Sequence, residues 1–307
     1  MKKKTFIIDG TYYMYKYYFA IPMLKNKLGN PVNIIYGFTK MINIICKKYK
    51  PDKIIMVFDS KKKNFRQKIY KKYKKNRPKM PNKIIEQIIP LNFLLKNLGI
   101  PIVSIPYIEA DDTIGILSKI ENKNKNFVFI LTNDKDIYQI INSSTFILEN
   151  LYKKIDKYEV QRKYKILPKN IPDYLSLVGD KSDNIPGVPC IGKKTAQILI
   201  KKYCNIKNIY NNINEIKSLK IKNVNNIIKN LTKHKIQTIL SLKLTTLHLN
   251  FKIEKKFKNL NLKKPNINNL NKFFKKNNFN IFYKKNIEIK KKIYKNNLNN
   301  NFKKNML

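Results

Sequence analysis

Nine of the chain's nineteen acidic residues occupy positions where carboxylates can act together. Asp9, Asp59 and Asp134 each end a short run of apolar residues with the composition of a β-strand. The other six follow such runs or lie in a later Gly- and Pro-containing segment: Glu109, Asp111, Asp112, Asp136, Asp180 and Asp183. Because ligands bind at the carboxyl ends of strands in parallel α/β sheets, we expect the first three to meet at one sheet edge.

A shared pocket of this kind requires divalent cations. Each carboxylate raises the pKa of its neighbours and resists the loss of water. Oxygen ligands without His or Cys favour Mg²⁺ or Mn²⁺, and two such ions about 4 Å apart can activate a water and stabilise the leaving oxygen in hydrolysis at phosphorus. Any one of these acids alone is an ordinary helix cap or turn residue, but the set of nine indicates a metal-dependent phosphodiesterase.

A basic segment lies between these acids in the sequence. Residues 61–79 contain eleven Lys or Arg and no acid, interleaved with aromatic residues. Positive charge follows a phosphate backbone and aromatic rings stack on unpaired bases, so the segment suits a single strand. Four side chains have the spacing of one helical face: Tyr70, Tyr73, Lys74 and Arg77. The alternative is a solvated lysine-rich helix.

A second candidate for nucleic-acid contact is the turn around Gly187 and Gly192. The helix expected after it begins near Lys193 and Lys194. A glycine-containing turn before a helix exposes backbone N–H groups to anionic oxygens, which allows a duplex to be held through its phosphates. A plain helix–turn–helix connection is the alternative.

Composition supports a polyanionic partner only in part. The 307 residues carry a net charge of +46, which points to nucleic acid. Lys, Asn and Ile are enriched throughout, however, as expected from an AT-rich genome. The three arginines are therefore more informative than the lysines, and two of them, Arg66 and Arg77, fall in the basic segment.

The sequence also bears on the compartment. Cys46, Cys190 and Cys204 show no metal-site or disulfide spacing, which is typical of a reducing environment. The apolar run before Asp9 is shorter than that of a signal peptide, and no apolar stretch reaches the roughly 18 residues of a membrane span. We therefore expect a cytoplasmic protein without a membrane partner.

These residues need an α/β framework to position them. Strands are predicted at 4–9, 52–59, 100–105 and 126–134, and helices at 33–48, 81–97 and 110–121. Strand patterns end near residue 165. We expect an α/β catalytic domain at 1–165, a helical DNA-binding subdomain at 166–285 and a basic, disordered tail at 286–307.

The motifs IIDG…Y, VFD, FRxxxYxxYKxxR, EADD, TxDKD and GDxSDNIPGVxxIGxKTA occur in this order between about residues 5 and 285. Together they resemble the 5′-nuclease family, which comprises the N-terminal 5′-to-3′ exonuclease domain of bacterial DNA polymerase I and its flap-endonuclease relatives. The resemblance implies a PIN-like parallel sheet flanked by helices. It also implies a helical arch at about 61–85 and a duplex-binding subdomain of the helix-hairpin-helix kind.

The resemblance assigns roles residue by residue. It implies metal-binding roles for all nine carboxylates, with Asp9 and Asp111 among the catalytic residues. It implies that Lys74 and Arg77 contact the scissile phosphate, with Arg66 nearby, in an arch through which a 5′ single strand passes. The hairpin resembles an element that holds K⁺ through backbone carbonyls, here those of Leu177, Val178, Pro186, Val188 and Ile191.

The implied activity is 5′-to-3′ exonuclease or flap-endonuclease cleavage of DNA in primer removal and repair. A monomer acting beside a DNA polymerase and a ligase is expected, with RNA primers paired to DNA as further candidate substrates. No polymerase region follows in this sequence, which indicates a free-standing module. Two alternatives are a catalytically impaired nucleic-acid-binding relative and a PIN-like ribonuclease, but neither needs the carboxylates, the arch and the hairpin together.

Three positions depart from the family pattern. Lys16 and Phe19 stand where the family has Arg and His, and Lys16 keeps a charge for DNA but not a bidentate phosphate contact. Cys190 replaces the first glycine of the hairpin's GxG. A positive φ there is costly for a residue with a Cβ.

Overall fold

The computed structural model describes residues 2–60, 62–251 and 260–279, so the expected tail at 286–307 lies outside the described residues. Its strands are β1 (Lys4–Asp9), β2 (Lys53–Val57), β3 (Ile102–Val103), β4 (Phe127–Leu131), β5 (Thr145–Glu149) and β6 (Lys153–Ile155). Its first helices are α1 (Gly10–Ala20), α2 (Asn33–Tyr49), α3 (Phe65–Ile69), α4 (Asn82–Asn97), α5 (Ala110–Lys123) and α6 (Lys157–Tyr164). The later helices are α7 (Ile171–Val178), α8 (Lys193–Tyr203), α9 (Ile206–Asn211), α10 (Val224–Lys233), α11 (Lys235–Thr245) and α12 (Ile267–Lys276).

The six strands form one sheet in the order β3-β2-β1-β4-β5-β6. All neighbouring pairs are parallel except β5 and β6. The predicted α/β class with a mainly parallel sheet is confirmed. The strand predicted at 100–105 reduces to two residues, and β5 and β6 were not predicted from the sequence.

Both faces of the sheet are covered. Alternate residues of β1 enter different cores, with Ile7 on one face and Phe6 and Ile8 on the other, all fully buried. The core that contains Phe6 and Ile8 includes residues of α1, α2, α4 and α12. The core on the Ile7 side includes residues of α5 and continues into α7, α8 and α9 without a break. Near-continuous apolar strands are the sequence pattern that this double burial requires.

The segment expected to be a helical arch is mostly not helical. Helix α3 has five residues and ends at Ile69, because the next residue, Tyr70, has an extended backbone at φ −137°. Turns follow up to Arg77, and Lys74 has a φ of 53° in the left-handed region. The prediction that Tyr70, Tyr73, Lys74 and Arg77 share one helical face is therefore wrong. Helical spacing was present in the sequence, but tertiary contacts of the tyrosine and lysine side chains determine the backbone here.

Among the described residues, no helix combines the length and the apolar character needed to cross a lipid bilayer.

Candidate active site

Asp9 and Asp59 lie at the ends of neighbouring parallel strands, as predicted. Asp9 caps α1 by accepting from the Tyr12 backbone N–H at 2.9 Å, and its second oxygen accepts from Thr132 Oγ1 at 3.0 Å. Asp59 accepts from the Ala110 N–H at 2.8 Å. Burial and the nearby Asp59 charge raise the pKa of Asp9 to about 7, although the two hydrogen bonds oppose the shift.

Two further carboxylates share this edge of the sheet. Asp111 lies in the first turn of α5, and Asp134 follows β4 and accepts from the Asp136 backbone N–H at 2.9 Å. Burial, and then the Asp134 charge, raise the pKa of Asp111 well above its usual range, while Lys74 opposes the shift. Burial also raises the pKa of Asp134. The charged forms of these carboxylates are therefore unfavourable unless a cation lies beside them.

A third group brings two distant segments of the chain together. Asp136, Asp180 and Asp183 are buried, and each offers a carboxylate oxygen within 4.8 Å of the others. Asp180 accepts from Ser182 and pairs with Lys135 at 2.9 Å, which lowers the pKa of Asp180 despite its burial. One oxygen of Asp136, Oδ1, is buried without a hydrogen-bond partner. An unpartnered buried carboxylate oxygen beside two other carboxylates fits a hard cation such as Mg²⁺.

Glu109 and Asp112 have a different environment. Both are buried and paired with Arg66, whose side chain is 2% exposed. Asp112 accepts from Arg66 through both oxygens, at 2.6 and 2.9 Å, and from the His248 N–H at 2.7 Å. The expectation that Arg66 contacts DNA is wrong for this structure, because its guanidinium is buried between carboxylates. The metal-binding role of Asp112 stays a prediction.

Lys74 and Arg77 lie over the acidic site. Lys74 Nζ is 2.6 Å from Glu109 and 3.5 Å from Asp183, and Arg77 pairs with the other oxygen of Asp183. The Lys74 backbone N–H also donates to the Asp183 carbonyl at 2.9 Å, so the turn itself is fixed to the site. Although burial opposes it, the Glu109 charge keeps the pKa of Lys74 well above its usual range. Both cations therefore remain charged beside the carboxylates.

The two tyrosines of this segment differ from the expectation of base stacking. Tyr73 is 4% exposed, its ring packs with Ile185 and Leu244, and its hydroxyl lies 3.1 Å from Glu109 and 3.2 Å from Asp183. A ring buried in this way offers no free face to a base, so stacking by Tyr73 is corrected to a structural contact. Tyr70 packs partly buried against the same cluster. Its DNA contact stays a prediction.

Lys16 and Phe19 lie on α1. Lys16 donates to Asn150 Oδ1 at 2.7 Å, and its ammonium lies over the Tyr12 and Tyr13 rings at 5.7 and 5.2 Å from their centroids. Burial lowers the pKa of Lys16. Phe19 is 74% exposed. Lys16 thus provides a cation whose position is fixed by Asn150 and the two tyrosine rings.

The Gly- and Pro-containing segment forms a tight hairpin between α7 and α8. Gly179 has a φ of 80°, which favours glycine. A Cβ on Gly187 would lie 2.4 Å from the Val178 carbonyl oxygen, so the two sides of the hairpin can lie this close only because Gly187 has no side chain. Gly192, Lys193 and Lys194 are exposed at the start of α8. These three residues are therefore accessible to solvent, and their contact with DNA stays a prediction.

The carbonyls expected to hold K⁺ lie in the same hairpin. Those of Leu177 and Val188 accept from the N–H groups of Val188 and Ile191, at 2.8 and 3.1 Å, and that of Pro186 accepts from Ser241 Oγ at 2.7 Å. The potassium site, including Val178 and Ile191, stays a prediction.

Cys190 has a φ of 66°, the left-handed conformation that the sequence argument associated with strain. Replacing Cys190 by glycine should remove roughly 1 kcal/mol of strain and raise the melting temperature, because glycine adopts this φ freely. A thermal melt of Cys190→Gly measures the change in stability. Duplex affinity over a salt series measures whether the hairpin also binds DNA more tightly. Gly192→Ala is the control for the thermal melt alone, since Gly192 has a φ of −87° and open space around a Cβ. A lower melting temperature for Cys190→Gly would contradict the strain argument.

Two family models match the chain in succession. The 5′-3′ exonuclease N-terminal resolvase-like domain matches residues 4–165, and the 5′-3′ exonuclease C-terminal SAM fold matches residues 166–268. The chain belongs to the 5′-3′ exonuclease family. Among similar family members, a 5′-3′ exonuclease of Buchnera aphidicola subsp. Baizongia pistaciae is 44% identical over 87% of this chain and 89% of its own length.

The same region matches part of a longer protein, and its fold matches that of a more distant one. DNA polymerase I of Bacillus caldotenax is 36% identical over 83% of this chain, which corresponds to 29% of the polymerase. A bacteriophage T5 flap endonuclease in a complex with DNA and metal ions has a TM-score of 0.67 at 18% identity, covering 94% of this chain and all of its own. The expected nuclease family and its fold are confirmed by these matches.

Sequence reasoning missed several side chains that support this exonuclease-family site. Thr132 holds Asp9, and Thr11 Oγ1 accepts from the Asp59 N–H at 2.9 Å. Lys135 pairs with Asp180 across 45 positions of sequence. The lysine could have been suspected, because it lies between two acids in the TxDKD motif. The threonines give no comparable signal.

Proposed function

We propose that this exonuclease-family protein hydrolyses phosphodiester bonds at or near the 5′ ends of DNA, with Mg²⁺ as its metal. The observation that carries the proposal is the buried Asp136, Asp180 and Asp183 group, with its unpartnered oxygen, beside the carboxylates at the strand ends. Mn²⁺ would satisfy the same oxygen donors. The ions, two or more per site, would supply an activated water and charge stabilisation at phosphorus.

The protein's own groups position the substrate and stabilise charge. Lys74 and Arg77 are held over the carboxylates by Glu109 and Asp183, so a phosphate entering the site meets two fixed cations. Fixed cations stabilise negative charge that develops during the reaction, because the protein does not have to reorganise. Burial raises the pKa values of Asp9 and Asp111, so a bound cation would favour the charged forms of both carboxylates.

We propose that residues 166–285 hold the duplex, with Gly187, Gly192, Lys193 and Lys194 facing its phosphates and K⁺ bound at the hairpin carbonyls. The preferred substrate is then DNA with a 5′ flap or 5′ end, and an RNA primer on DNA is a second candidate. The T5 structure, which contains DNA and metal ions, supports this arrangement. The polymerase relatives support a role beside DNA polymerase. We propose ligase as a further partner in replication and repair.

A 5′-end-labelled flap duplex, incubated with and without Mg²⁺, tests the proposal. We expect short labelled products only with Mg²⁺, and their lengths distinguish removal of single nucleotides from cleavage at the flap base. A parallel reaction uses single-stranded RNA of the same sequence. Cleavage of the RNA alone would favour the PIN-like ribonuclease, and binding without cleavage would favour an impaired relative.

A further inference from the structure

Arg66 has a complete set of hydrogen bonds that the proposed chemistry does not use. Its Nε–H donates to the Leu244 carbonyl at 2.8 Å. Its Nη1 donates to Glu109 and Asp112, both at 2.6 Å, and its Nη2 donates to Asp112 and the Thr246 carbonyl, both at 2.9 Å. A guanidinium has five N–H groups, so none is left for a phosphate.

The acceptors of Arg66 belong to separate parts of the fold. Glu109 and Asp112 lie at the start of α5, and the two carbonyls lie at the C-terminal end of α11. The C-terminal end of a helix carries partial negative charge. The positive guanidinium therefore offsets both this charge and the charges of the two carboxylates. Lysine in place of Arg66 has three donors on a flexible stem and cannot reproduce this geometry.

Helix α11 also contacts the hairpin. Gln237 Nε2 donates to the Gly187 carbonyl at 2.9 Å, and Ser241 Oγ donates to the Pro186 carbonyl at 2.7 Å. The helix thus runs from the segment proposed to hold the duplex to the guanidinium that holds the carboxylates. Through its hydrogen bonds, Arg66 therefore connects α3 of the basic segment to the acidic site and to α11.

Glu109 is held from two sides. Its Oε2 accepts from Arg66, and its Oε1 lies 2.6 Å from Lys74 Nζ. Arg66 therefore holds one oxygen of Glu109, and Lys74 holds the other. Loss of a partner that orients a metal-binding side chain typically weakens metal binding about 10- to 100-fold.

We propose that Arg66 is a positioning residue: it orients Glu109, anchors Asp112 and fixes both to the end of α11, so that the carboxylates are arranged before metal and DNA bind. This inference rests on the proposed metal-dependent function. Arg66 then affects metal affinity and makes no direct contact with DNA.

The test compares Arg66→Met and Arg66→Lys with wild type by calorimetric titration of Mg²⁺ into the DNA-free protein. We expect Arg66→Met to bind Mg²⁺ about 10- to 100-fold more weakly, with Arg66→Lys intermediate. The Mg²⁺ concentration for half-maximal flap cleavage should rise by the same factor. Affinity for the flap duplex without Mg²⁺ should stay within about twofold of wild type, since no phosphate contact is removed.

Lys53→Met is the matched control for lost stability. Lys53 pairs with the buried Glu121 at 2.8 Å, and both lie near the N-terminal ends of the strands, away from the site. This variant should melt at a lower temperature and bind Mg²⁺ like wild type. If Arg66→Met does not fold, Arg66→Lys provides the comparison.

Two results would overturn the proposal. The first is Mg²⁺ affinity in the Arg66 variants equal to that of wild type or of Lys53→Met. The second is weaker duplex binding with a salt slope reduced by about one, which is the behaviour of a lost phosphate contact. If wild type fails to cleave the flap, the proposed function is wrong, but the Mg²⁺ titration still decides the role of Arg66.

Discussion

Asp134→Asn should abolish flap cleavage while leaving duplex affinity largely intact, and Asp111→Asn should do the same. Each substitution removes one negative charge from a site that needs divalent cations, while the groups proposed to hold DNA lie elsewhere. Activity is measured as single-turnover cleavage in Mg²⁺. Duplex affinity is measured without metal, so that cleavage does not interfere.

The same variants should be more stable than wild type when no metal is present. Burial raises the pKa values of Asp111 and Asp134, which means that their charged forms are unfavourable in the folded protein. An uncharged amide removes that penalty, so the metal-free melting temperature should rise. The stabilisation that Mg²⁺ gives to the folded protein should fall, because fewer charges attract the ion.

Asp52→Asn is the matched control. Asp52 accepts from the Lys4 N–H at 2.8 Å, beside the N-terminal ends of β1 and β2 and thus at the edge of the sheet opposite the carboxylate site. It should retain wild-type cleavage. Near-normal Mg²⁺-dependent turnover in Asp134→Asn or Asp111→Asn would show that the carboxylate in question is not part of the metal site.

The shared location of the strand-end carboxylates could be predicted from the sequence, because it does not depend on the order of the strands in the sheet. Asp9, Asp59 and Asp134 each follow an apolar run, and the carboxyl ends of parallel strands share one edge whichever strands are neighbours. The proximity of Asp136 to Asp180 and Asp183 could not be predicted from the local sequence pattern. It depends on how the hairpin after α7 packs against the sheet, which is a long-range contact.

Arg66 and Tyr73 show why DNA contacts in the basic segment are only partly predictable from the sequence. Their residue types and spacing suit an exposed nucleic-acid-binding helix, and nothing local distinguishes an exposed arginine from a buried one. The buried carboxylates of Glu109 and Asp112 make the difference, because an unpaired charge in the interior is costly and a guanidinium can satisfy several acceptors at once. Those partners lie more than 40 positions away.

Lys74→Ala and Arg77→Ala should each lower the single-turnover cleavage rate by about 10²-fold or more, because each removes a cation placed to stabilise charge on the scissile phosphate. Lys74 is the more buried of the two, with 14% of its side chain exposed against 49% for Arg77. We therefore expect the larger loss for Lys74→Ala, since charges act more strongly where water is excluded. The rates are measured at saturating enzyme, so that weaker binding does not contribute.

Lys75→Ala is the control for these variants, because Lys75 is an exposed neighbour in the same basic segment. It removes the same charge from the protein, so it reports the general attraction of a basic surface for DNA. That attraction weakens with salt and affects binding more than the chemical step. A rate for Lys74→Ala or Arg77→Ala equal to that of Lys75→Ala would mean that the two cations only contribute to surface charge. In that case the ion pairs with Glu109 and Asp183 would be structural contacts of the metal-free protein and not a device for catalysis.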